Sequence, residues 1–144
     1  MKYTIQFAML LFSSLVFSQN WTTNLEEAKT AATTQNKSIV LVFSGSDWCA
    51  PCIKLDRNVW QSEEFKSYAT EKLVLLRADF PKKKANVLPE TLQESNKALA
   101  EKYNPEGYFP LVVVLDAKGK VVAKKGYENQ NAAKYIAELQ AIIK

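Results

Sequence analysis

Histidine is absent from the 144 residues, and cysteine occurs only twice, at Cys49 and Cys52. Without histidine the chain can build no Cys-His hydrolase centre and offers no imidazole to a metal. A closed zinc site takes four ligands of cysteine or histidine type, so the pair is at most half of one, completed only if two chains shared it. A concentrated basic stripe is also missing. The formal charge of +4 comes from scattered lysines, and Lys82, Lys83 and Lys84 form the one short run. Nothing here marks a nucleic-acid partner. That run reads as a solvated loop or, alternatively, as a surface that steers an acidic partner. No internal repeat or low-complexity tract interrupts the chain. What remains, 47% hydrophobic and 24% charged residues over 144 positions, suits one globular domain with a sizeable core.

The first eighteen residues carry one charge, Lys2, then a largely apolar run from Ile5 to Phe17, then Ser18. This pattern predicts a secretory signal peptide over 1–18, removed to leave a domain over 19–144 in the periplasm or outside the cell. The run is short for a bilayer span, and no cysteine follows it to carry a lipid. Exported compartments are oxidising, so two cysteines could also serve as a stabilising staple.

Asn24-Leu25-Glu26-Glu27 reads as a capping box opening a helix through about Gln35. The run "SIVLVFS", Ser38 to Ser44, lacks polar alternation and is rich in β-branched residues, which predicts a strand buried on both faces. A helix follows from the cysteine pair, with Leu55, Val59 and Trp60 on its inner side. Ser62-Glu63-Glu64 restarts it, with Phe65, Tyr68 and Ala69 as its apolar face. "LVLLRAD", Leu73 to Asp79, is a second buried strand, and Phe80 to Glu90 a surface loop. Thr91-Leu92-Gln93-Glu94 reads as another capping box, for a helix striped by Leu92, Leu99 and Tyr103 and ended by Asn104-Pro105-Glu106-Gly107. "LVVVL", Leu111 to Leu115, is a third strand, turning through Asp116 to Gly119 into a fourth over Lys120 to Lys124. Ala132, Tyr135, Ile136, Leu139, Ile142 and Ile143 recur at helical spacing. This order gives an α/β fold: a mixed sheet of about four to five strands, with helices on both faces.

Cys49 and Cys52 fall where a buried strand gives way to a helix. A disulfide between them would close so short a loop that it would stabilise the fold very little, which argues against a staple. At a helix start, unpaired amides and the macrodipole favour a thiolate, and Cys49, placed first, gains most. Cys49 should be the more exposed of the two and attack a substrate disulfide. Cys52, a turn deeper, should then resolve the mixed disulfide. Pro51 fits the first helical turn, where its missing amide hydrogen would be unpaired anyway, and stiffens the loop.

"VLVFSGSDWCAPC", with "GYFPLVVVLDAKGKVV" later in the chain, resembles the thioredoxin superfamily: a strand with a W-C-x-x-C active site, then an X-Pro loop, strand and hairpin. The resemblance runs from Trp21 to Lys144. It implies Cys49 as nucleophile, Cys52 as resolving thiol, Trp48 as aromatic platform and Pro110 as a cis-proline, the only peptide type in which cis is cheap. It further implies that the backbone at Phe109 pairs with an extended substrate segment, with Ala50 and Pro51 completing the contact surface. Tyr108 and Phe109 fit either a substrate groove or plain core packing. The chain departs from the family at Phe43. Six positions before the first cysteine, many members carry a buried acid that helps deprotonate the resolving thiol. Asp47, Lys54 or water are the replacements at hand, although Asp47 is better read as a helix-start cap.

The implied activity is that of an exported thiol:disulfide oxidoreductase needing no cofactor beyond its own disulfide. Ala50-Pro51 supplies neither charge nor donor to favour the thiolate, which predicts a reducing couple and hence a disulfide reductase. Its partners would be exported proteins with cysteines or disulfides and an upstream thiol-disulfide donor, a membrane-bound one being the natural source. The chain itself is expected to be a monomer. The alternative is a thioredoxin-fold binding or chaperone-like module whose disulfide is not catalytic.

Overall fold

The computed structural model describes residues 19–143; the signal peptide expected over 1–18 lies outside them. Three strands form where apolar runs are densest: β2 (Ser38–Ser44), β3 (Leu73–Asp79) and β4 (Leu111–Leu115). They are joined at the edges by β1 (Trp21–Thr22) and β5 (Val121–Lys125) into one sheet of order β1-β3-β2-β4-β5. β3 runs parallel to both β1 and β2, while β4 is antiparallel to β2 and β5. The fifth strand escaped the sequence pattern because two residues, Trp21 and Thr22, make no run to detect. β5 starts one residue later than expected. Lys120 is still held in the turn, its amide donating to Asp116 Oδ1 and its carbonyl accepting from the Asp116 amide, both at 2.9 Å.

Helices cover both faces, as the alternation of buried side chains along β2 requires. Val40 and Val42 point to one side, where they meet Leu55, Trp60, Phe65, Tyr135 and Leu139. These come from α2 (Ala50–Leu55), a π-helical turn (Asp56–Trp60), α3 (Glu63–Lys72) and α5 (Ala132–Ile142). Ile39, Leu41 and Phe43 point to the other side, against Ala28, Ala32, Leu99 and Tyr103 of α1 (Leu25–Gln35) and α4 (Glu90–Tyr103). Each fully buried side chain of this size contributes about 1.5–3 kcal/mol, so the two layers hold the sheet firmly at its centre.

The helix starts correct two expectations. Asn24 Oδ1 does accept from the amides of Glu26 and Glu27. Glu27, however, accepts from Thr22 Oγ1 at 2.9 Å, and it is that hydroxyl, not Glu27, which takes the Asn24 amide. α4 begins at Glu90 without a side-chain cap, so Thr91-Leu92-Gln93-Glu94 is no capping box. Pro89, at φ −52°, sets the entry direction, and Gln93 Nε2 turns back to the Leu88 carbonyl at 2.7 Å.

Candidate active site

β2 ends at Ser44, and the chain then turns tightly enough for the amides of Trp48 and Cys49 to donate to the Gly45 carbonyl at 3.3 and 2.9 Å. Cys49 is extended (φ −93°, ψ 100°) and serves as the N-cap of α2, with Pro51 in the first helical turn. Its Sγ accepts from the Cys52 amide at 3.3 Å. The two cysteines are joined as a disulfide with their Cα atoms 5.2 Å apart. Cys49 is only 5% exposed and Cys52 3%. The expected contrast in exposure is therefore slight, and both sulfurs lie under their neighbours. Ala50 and Pro51 lie exposed on the surface between them.

Three sets of hydrogen bonds pin the residues before Cys49 to the end of β3 and the segment that follows it. Asp79 accepts from both the amide and the hydroxyl of Ser46. Asp47 accepts from the Lys82 and Lys83 amides at 2.9 and 3.0 Å and from Asn86 Nδ2 at 2.9 Å. Trp48 Nε1 donates to the Phe80 carbonyl at 2.7 Å. Asp47 is thus a clamp on the following loop rather than the cap of α2, because the cap position belongs to Cys49 itself. The Lys82 amide, then Asn86 and then Lys83, hold the Asp47 carboxyl below the usual carboxylate range. A carboxylate so engaged is a poor base near neutral pH. Lys54 is exposed on α2.

Phe109 brings the proline loop to this end of the molecule. Its ring stands edge-on to Trp48 at 5.4 Å and to Phe80 at 5.5 Å, and the Phe109-Pro110 bond is cis. Buried Asn104 holds the approach to it, accepting from the Tyr108 amide and donating to the Tyr108 carbonyl. Tyr108 is exposed and Phe109 half-buried, so the two residues part company: the first faces solvent, the second closes an aromatic cluster. Phe43 is fully buried in the core behind, paired across the sheet with Ala78 and Leu111. Sequence reasoning missed the partnership of Asp47 with loop 82–86. Its only visible trace was an acidic residue beside the cysteines and a lysine run some 35 residues later.

A family profile described as thioredoxin-like matches residues 20–117. The chain belongs to the thioredoxin-like family. Over 109 residues it is 39% identical to the disulfide bond reductase DsbH of Chlamydia pneumoniae, a match covering 76% of this chain and 64% of that protein. It is 26% identical over 106 residues to the thioredoxin-related protein DsbJ of the same organism, covering 74% of this chain and 30% of that one. The chain thus spans just under two thirds of the DsbH relative and less than a third of the DsbJ relative. A solved DsbH oxidoreductase structure superposes with a TM-score of 0.79 at 32% identity, covering 99% of this chain and 94% of that chain. The thioredoxin-like fold therefore extends over the whole described sheet and its helices. No helix among the described residues is long and apolar enough to cross a membrane.

Proposed function

We propose that residues 19–144 form an exported thiol:disulfide oxidoreductase that works as a disulfide reductase on cysteine-containing proteins of its compartment. The observation that carries this is the Cys49-Cys52 disulfide at the start of α2, with the Cys52 amide donating to Cys49 Sγ. The same donor suits a thiolate at Cys49 once the pair is reduced, because a hydrogen bond to the charged form favours it. The likeness to a protein named disulfide bond reductase supports the direction.

In this reading an upstream dithiol, membrane-bound, passes two electrons and two protons to the Cys49-Cys52 disulfide. The Cys49 thiolate then attacks one sulfur of a substrate disulfide, forming a mixed disulfide and releasing the other substrate sulfur as a thiolate that takes up a proton. Cys52, deprotonated to solvent, attacks Cys49 Sγ, which restores the internal disulfide and frees the second substrate thiol. Trp48, Ala50, Pro51, Phe109 and Pro110 present the surface on which an extended substrate segment lies, paired through the Phe109 backbone. The dithiol cycle asks for no further cofactor, and a single chain carries both sulfurs, consistent with a monomer.

Insulin reduction by the purified protein, with dithiothreitol as donor, tests the reading. Wild type should precipitate the insulin B chain well above the uncatalysed rate, and Cys49→Ser should fall to background. Equal inactivity of the two proteins would overturn the assignment. A reduction potential near that of a strong oxidant would overturn the reductase direction alone.

A further inference from the structure

The proposed chemistry does not use the lysine run, although the fold carries it to the disulfide end of the molecule. Lys82, Lys83 and Lys84 are all exposed, and none forms an ion pair among the described residues. They do not sit on a free loop. Asp47, two positions before Cys49, accepts from the Lys82 and Lys83 amides and from Asn86, and the Lys82 ammonium lies 3.8 Å from the centre of the Trp48 ring. Two independent contacts, one through the backbone and one through an aromatic face, thus fix the loop to the two residues that precede the reactive pair. Asp47 accepts from the loop itself and Asp79 from Ser46 beside it, so three cations stand against two anions there. Large apolar side chains exposed in the same region, Trp48, Ile53 and Tyr108, offer a peptide something to lie on. Past the lysines, a groove of about 490 Å³ carries Asp79, Glu90 and Glu94 against the one cation Lys97 and so is net negative, which keeps the positive stretch short.

We infer that the Asp47-clamped loop Lys82–Lys84 is a docking surface for a short acidic segment beside the target disulfide of a partner protein. This rests on the reductase reading and adds a charge preference to it. Exposed charges of this kind act mainly on the rate of encounter and are screened by salt. A peptide partner is favoured over nucleic acid because the surface is three residues long and abuts a disulfide.

The test uses the reduced, desalted protein and three peptides containing the same disulfide flanked by Glu, Gln or Lys. Each rate is divided by that peptide's rate with dithiothreitol, which removes the effect of flanking charge on the disulfide itself. At about 0.01 M ionic strength, where charges act over about 30 Å, the Glu peptide should react roughly 5-fold faster than the Gln peptide and the Lys peptide slowest. At about 0.15 M, where the range falls to about 8 Å, the spread should shrink. Lys83→Glu with Lys84→Glu should reverse the order. Lys72→Glu with Lys118→Glu makes the same change of charge at the other end of β2, where Lys72 lines a groove with Ser38 and Asp116 and the Lys118 amide donates to Asp116, and should preserve it. Turnover without a charge order, or an order reversed equally by both double variants, overturns the docking surface and leaves the reductase reading standing. No turnover of any peptide overturns both.

Discussion

Gly45 lies directly beneath the Trp48 indole: a Cβ built on Gly45 would overlap Cε2 of that ring and fall 2.6 Å from both Cζ2 and Nε1. No real contact is that short, so any side chain at Gly45 must push the indole away. The indole in turn donates to the Phe80 carbonyl, stands edge-on to Phe109 and receives Lys82 on its face.

Gly45→Ala should therefore displace Trp48 and loosen three partners at once. The expected loss is about 1–3 kcal/mol of unfolding free energy, the usual range for overpacking a filled site. A shift of tryptophan emission and weaker near-ultraviolet circular dichroism should accompany it in the folded protein. An unchanged spectrum with unchanged stability would mean that the ring is not seated on Gly45.

The Asp47 clamp has a defined pH dependence. Its carboxyl is held below the usual range, first by the Lys82 amide and then by Asn86, so the folded state binds its proton less tightly than the unfolded state. The stabilisation is then fully present above the unfolded value near 3.8 and fades as pH falls through the folded value. Asp47→Asn should be less stable than wild type at neutral pH, and the difference should narrow below about pH 4. Urea unfolding of both proteins across that interval checks it. A gap that does not change with pH would rule out the carboxylate as its source.

Phe43 occupies the place where the thioredoxin superfamily often keeps an acid, and its surroundings show why a simple exchange will not restore one. The ring is fully buried among Ile39, Leu41, Leu76, Leu111 and Val113. Deleting such a ring costs about 3–5 kcal/mol, and an unpaired carboxylate in the same place adds a desolvation penalty. Phe43→Asp should thus unfold in far less urea than Phe43→Leu, whose cost should stay near 1–2 kcal/mol as a near-conservative apolar swap. Comparable midpoints for the two variants would show that water reaches the site.

Which parts of this molecule can be read in its sequence follows from how local their causes are. β2, β3 and β4 are bounded as the apolar runs bound them, because a strand buried on both faces keeps most of its positions apolar. The Cys49-Cys52 pair was legible from residue type and spacing, and the cis bond at Pro110 from the resemblance to the thioredoxin superfamily. The expected cap at Thr91 failed because Pro89 competes for the same helix start and imposes its own φ. The role of Asp47 was hidden for a different reason: an aspartate just before a helix looks like a cap, and only the fold shows that its partners lie on a loop after β3. The Trp48-Phe109-Phe80 cluster likewise joins three segments that are far apart in the chain.

The π-helical turn at Asp56–Trp60 fits one more residue into the helical path than an α-helix would. It lets Val59 and Trp60 both enter the core that Leu55 begins, while Asp56 meets Arg77 at 3.0 Å. A relative that crosses the same stretch in plain α-helix must therefore be one residue shorter between its second cysteine and the serine that starts α3. The gap in such an alignment belongs inside a helix, where gaps are usually forbidden. In this chain, deleting Arg57 or Asn58 should close the bulge into plain α-helix, with Trp60 four positions from Leu55 and still on the core side.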